Sequence, residues 1–98
     1  MPVAQLFNVD AENQSVLFKC PGCGFLHAIH VKGPARPTWT WNGSLDAPTF
    51  QPSVAVHWTE HGIAKVCHSF VTDGRIQFLG DCTHALAGQT VPILAMED

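Results

Sequence analysis

Hydrophobic and polar positions alternate along most of the chain in short runs, and no window of about 11 residues keeps the 3.6-residue period of an amphipathic helix. Val3 to Val9 reads as a first strand, and the polar stretch from Asp10 to Gln14 as a turn. Ser15 to Phe18 follows as a second short strand. Phe25 to Val31 is a third, with Phe25, His27, Ile29 and Val31 on one face and Leu26, Ala28 and His30 on the other. Lys32 to Pro37, with one Gly and two Pro, is a loop. Thr38 to Trp41 alternates two good strand formers and ends at Asn42-Gly43, a turn signal. Pro48 and Pro52 argue against a central strand over Asp46 to Pro52.

The second half is more regular. Ser53 to Glu60 sets Val54, Val56 and Trp58 against Ala55 and His57. His61-Gly62 is a tight turn, Ile63 to Thr72 the next strand, Asp73-Gly74 a type I′ hairpin signal, and Arg75 to Gly80 the returning strand. Thr83 to Gly88 reads as one helical turn stopped by Gly88, and Thr90 to Leu94 as a closing strand. The expected fold is mostly β: a small antiparallel sandwich or partly open barrel. At 98 residues it forms one domain, residues 1–98, with one modest core.

Composition narrows the function. Only 13% of residues are charged, the net charge is −3, and five Lys and Arg are too few for a nucleic-acid footprint. No apolar run reaches the ~18–20 residues of a membrane span. Met1 to Phe7 has no basic secretory n-region. The expected location is therefore the cytoplasm.

Four Cys and six His stand out among so few charges. In an unsecreted chain, Cys points to metal before disulfides. Cys20-Pro21-Gly22-Cys23-Gly24 has the form of a zinc knuckle: a tight turn aims both sulfurs inward, and Gly24 allows a positive φ. A structural zinc needs four ligands. If Asp73-Gly74 is a two-residue turn, Thr72 pairs with Arg75, Val71 with Ile76 and Ser69 with Phe78. Cys67 and Cys82 then share a face as diagonal neighbours. The expected ligands are Cys20, Cys23, Cys67 and Cys82. His84, His68 and His27 are the alternatives. His30, His57 and His61 are expected to be solvated or hydrogen-bonded strand residues.

Several longer runs carry a resemblance. They are Lys19-Cys20-Pro21-Gly22-Cys23-Gly24, Trp39-Thr40-Trp41-Asn42-Gly43, Pro48-Thr49-Phe50, Pro52-Ser53, Cys67 to Leu79, and Asp81 to Val91. Together they resemble a family of small bacteriophage and prophage proteins often labelled "ammonia monooxygenase". The label does not transfer, because thiolate-rich ligands suit zinc better than an oxygen-activating copper site. Some members carry a longer Cys-containing insert before the Cys-His-Ser-Phe run, where this chain has only Ala55 to Val66.

The resemblance implies a phage source and no activity. The expectation is a non-enzymatic, zinc-stabilised interaction module that binds a phage or host protein in the host cytoplasm. A virion component, such as a capsid decoration or tail accessory subunit, is the alternative, and a zinc-dependent hydrolase stands behind both. Asp81 is read as an acceptor supporting a His ligand. Trp39 and Trp41 are expected to be core residues more than a binding patch.

Overall fold

A computed structural model describes residues 2–7, 9–34 and 36–95. Eight strands follow in order: β1 (Ala4–Phe7), β2 (Gln14–Lys19), β3 (Leu26–Lys32), β4 (Thr40–Trp41), β5 (Phe50–Glu60), β6 (Ile63–Thr72), β7 (Arg75–Phe78) and β8 (Thr90–Pro92). They form two antiparallel sheets, one ordered β1-β2-β3 and the other β4-β5-β6-β7-β8. Among the described residues there is no helix, so none is long and apolar enough to cross a membrane.

The inward positions of both sheets make one core. Ala4, Val16, Phe18 and Ile29 of the smaller sheet meet Phe50, Val54, Val71, Ile76 and Phe78 of the larger one. Phe18 stacks on Phe50 with ring centroids 6.1 Å apart. Full burial of side chains this large contributes about 1.5–3 kcal/mol each before entropy is charged against it.

The Asp73-Gly74 hairpin has the expected register, Thr72 on Arg75, Val71 on Ile76 and Ser69 on Phe78. Its two turn residues have φ of 49° and 77°, as a type I′ turn requires. His61-Gly62 closes β5 onto β6 in the same way, with φ of 52° and 77°.

Two expectations change. Residues 83–88 form turns, not a helical turn; Ala87 N donates to His84 O at 3.3 Å and Gln89 N to Leu86 O at 2.9 Å. Strand β5 starts at Phe50 and runs through Pro52. Proline is tolerated there because the ladder is broken. Four steps along β5, from Phe50 to Val54, are matched by two along β6, from Val71 to Ser69. This bulge leaves residues 51–53 without a direct partner on β6.

Trp39 and Trp41 are half-buried against the core. Their indole N–H groups donate to Ser53 O and Ser44 O, each at 3.1 Å.

Candidate functional site

Strand β6 carries two kinds of chemistry on opposite faces, because successive side chains of a strand alternate. Cys67 points into the core and is 1% exposed. His68, the next residue, points outward on the other side of the sheet.

On the inner side, the knuckle turn and three strands bring Cys20, Cys23, His27 and Cys67 together, with all four ligand atoms within 4.8 Å of one another. Gly24 has φ of 79°, and its N–H donates to Cys20 O at 3.0 Å, which closes the knuckle. Cys20 Sγ lies 3.7 Å from Cys67 Sγ, and Cys23 Sγ lies 3.4 Å from His27 Nε2. Metal–sulfur bonds of about 2.3 Å at tetrahedral angles put sulfurs about 3.8 Å apart, and a sulfur and an imidazole nitrogen about 3.5 Å apart. These two contacts match edges of such a tetrahedron. All four cysteines are free thiols.

A hydrogen bond with Cys67 pulls the Cys20 thiol down to about 3, opposed by burial and helped by His27 and the backbone N–H groups of Cys23 and Gly22. The same hydrogen bond pushes the Cys67 thiol up, as does burial, and burial raises that of Cys23. Crowded sulfurs cannot all ionise alone, and a divalent cation removes that conflict. These residues can hold a metal ion.

Cys82 and His84 form an overlapping group with Cys67. Both also make hydrogen bonds of their own. The Cys82 sulfur accepts from His68 N and donates to His68 O, each at 3.2 Å, so it clamps the backbone of its neighbour on β6 as a neutral thiol. His84 Nδ1 accepts from Leu86 N at 3.2 Å. Its proton then sits on Nε2, which donates to Cys67 Sγ at 3.5 Å. A metal-bound His does the reverse, donating through its free nitrogen. The ring packs edge-on against Phe78, with centroids 4.4 Å apart, and lies over Gly22, where any Cβ would run into it. His27 thus stands in the cluster where Cys82 was expected. His57 and His61 are exposed, and His30 lies half-buried with Nδ1 3.5 Å from Ser15 Oγ.

On the outer side, His68 makes two contacts, and sequence reasoning names Asp81 as an acceptor for a His but has no role for Ser53. Its Nδ1 lies 3.1 Å from Asp81 Oδ2, and its Nε2 lies 3.1 Å from Ser53 Oγ. A carboxylate only accepts, so the ring proton belongs on Nδ1, and Nε2 accepts from the Ser53 hydroxyl.

Each member has a structural reason to be where it is. Ser53 follows Pro52 in the bulge of β5, diagonal to His68, whose direct partner is Ala55. Its carbonyl is held by the Trp39 indole. Asp81 sits at the turn after β7, fastened by Leu79 N to His68 O at 2.9 Å, by Cys82 N to Leu79 O at 3.2 Å and by Thr83 N to Val66 O at 3.0 Å. His68 lies outside both groups that could hold a metal ion and sits between Ser53 and Asp81.

The sequence signal for this was slight: a Ser after a strand-breaking Pro, and a carboxylate beside Cys82. Triads are recognised by geometry and not by spacing, and here the chain order is Ser, His, Asp.

The β-sandwich thus places a Ser, a His and an Asp in a row on the outer face of one sheet. Residues 2–79 match the family described as "Bacterial ubiquitination-like system serine protease (BubE)", and the chain belongs to that family. The matched span contains Ser53, His68 and all four residues of the metal cluster, and it ends two residues before Asp81. No curated protein and no solved structure matches the chain.

This membership corrects the sequence reading. A phage interaction module and a virion component both give way to a bacterial ubiquitination-like system, and a non-enzyme gives way to a family of serine proteases. The physical reason for the error is that Ser53, His68 and Asp81 are 15 and 13 residues apart, and only the bulge and the β6–β7 hairpin bring them together.

Proposed function

We propose that the protein is a serine protease in which Ser53 is the nucleophile, His68 the general base and Asp81 the orienting carboxylate. The observation that carries this reading is the pair of 3.1 Å contacts from His68 to Ser53 and Asp81. Ser53 Oγ attacks the scissile carbonyl carbon while its proton passes to His68 Nε2. The same proton goes to the leaving group as the acyl bond breaks. Water, deprotonated by His68, then releases the acyl group. Asp81 accepts from Nδ1 throughout and favours the imidazolium that forms. The family description supports a ubiquitin-like protein, or a conjugate of one, as the substrate.

The metal centre reads as a structural zinc held by Cys20, Cys23, His27 and Cys67. Three sulfurs and one nitrogen fill a tetrahedron and leave no position for a substrate water. The ion would join the knuckle to β3 and β6 and set the β6 backbone that carries His68.

An alkyl fluorophosphonate, which reacts preferentially with activated serines, should label Ser53. Ser53→Ala and His68→Ala should abolish labelling while keeping the wild-type melting temperature within a few degrees. Absence of labelling in folded, metal-loaded wild-type protein would reject the reading.

A further inference from the structure

Among the described residues, the hydrogen-bond pattern around β6 leaves a free strand edge leading to Ser53. Val66 and His68 turn their backbone groups toward residues 79–83: Thr83 N donates to Val66 O, Val66 N to Thr83 Oγ1, Leu79 N to His68 O, and His68 N to Cys82 Sγ. Opposed residues of an antiparallel pair alternate between bonded and non-bonded. The partners of Val66 and His68 on β5, which are His57 and Ala55, are therefore non-bonded pairs.

Their N–H and C=O groups point away from β6, as do those of Thr59. On that side, among the described residues, strand β4 pairs with Phe50 and Gln51 and no strand pairs with Ala55, His57 or Thr59. Ala55, His57 and Thr59 are all exposed. Ser53 O, which points the same way, is already taken by the Trp39 indole at 3.1 Å. The open edge thus begins immediately beyond the nucleophile, and Trp39 marks its end.

We propose that the substrate docks as an added strand on the β5 edge from Ala55 to Thr59, with the polypeptide segment on the N-terminal side of its scissile bond in extended form. This rests on the protease reading above. An open edge supplies a ladder of donors and acceptors to any extended backbone. The N-terminal half is the one that needs holding, because it stays attached to Ser53 through both steps. At Trp39 the added strand cannot continue along the edge, so it must rise over the outer face, where Ser53 Oγ and His68 lie.

The test uses six-residue peptidyl diphenylphosphonates of randomised sequence, with the alkyl fluorophosphonate as the size control. An added strand points only alternate N–H groups at β5. N-methylation at the second and fourth peptide positions, or at the third and fifth, should therefore act unequally. One set should slow labelling of Ser53 at least tenfold, and the other should leave it within about threefold. Equal effects of the two sets would overturn the proposal.

Ala55→Pro gives a second reading, since it removes an outward N–H without breaking the ladder to β6. It should lower the ratio of peptidyl to alkyl labelling at least tenfold. An unchanged ratio in a folded variant would also overturn the added strand. Loss of alkyl labelling in the wild-type protein would instead remove the protease reading on which it rests.

Discussion

Replacing Asp81 by Asn measures how much of the reaction depends on a carboxylate in an unusual setting. The Asp81 side chain is 58% exposed and that of His68 28% exposed. Two unit charges about 4 Å apart attract by about 1 kcal/mol in water and about 4 kcal/mol at an effective dielectric of 20. A half-exposed pair falls between these limits, so the carboxylate stabilises the charge that develops on the ring in the transition state by about 2 kcal/mol. Each 1.4 kcal/mol or so is tenfold in rate, so Asp81→Asn should slow labelling of Ser53 by about 10–100-fold. Where such an Asp is buried and cannot reorient, the loss is about 10⁴-fold, because the amide imposes the wrong tautomer. Here the exposed amide of an Asn can turn its oxygen to Nδ1–H and keep the tautomer. The assay is the second-order rate of alkyl fluorophosphonate labelling near pH 7.5 for both proteins. A change of less than about threefold would show that Asp81 is not part of the relay. A loss near 10⁴-fold would refute the argument from exposure.

Three further outcomes follow from the same contacts. Cys82→Ala removes both sulfur contacts to the His68 backbone, and should destabilise by about 1–3 kcal/mol in denaturant titration and lower the labelling rate without abolishing it. Cys20→Ser, or chelation, should release about one zinc per chain by elemental analysis and lower the melting temperature; full thermal stability with an empty site would contradict a structural ion. Gly74→Val should destabilise by more than about 1 kcal/mol, because φ is 77° and a Cβ would lie 3.1 Å from Ala47 Cα; an unchanged unfolding midpoint would count against that account.

Local signals carried the fold. Period-2 alternation placed β3, β6 and β7, and the two I′ turns pinned the long meander because each forces its flanking residues into one register. The knuckle was equally local, and Cys67 followed from the hairpin register. The expected ligand Cys82 also shares a group with Cys67, but the register said nothing of what its sulfur bonds. That depends on His68 exposing its backbone groups on the β7 side, which is a tertiary fact. Ser53 was hidden for a related reason. Its place opposite His68 depends on how many residues the bulge at Pro52 takes up, and the sequence marks only that a Pro is present.

The alternation of β6 also decides what a metal ion here can do. Cys67 and His68 are consecutive, so the ion's sulfur and the His68 imidazole lie on opposite sides of one sheet. The Ser53 hydroxyl lies on the imidazole side. An ion among Cys20, Cys23, His27 and Cys67 sits in the core, where a substrate carbonyl at Ser53 cannot reach it. It can affect the reaction only by fixing the β6 backbone. The identity of the ion should then matter little so long as it is tetrahedral and thiophilic. Protein loaded with cobalt or cadmium should label at Ser53 within about threefold of the zinc form, at equal melting temperature. A Lewis acid in contact with substrate would instead give rates that differ by orders of magnitude between ions, and that result would refute the separation of the two faces.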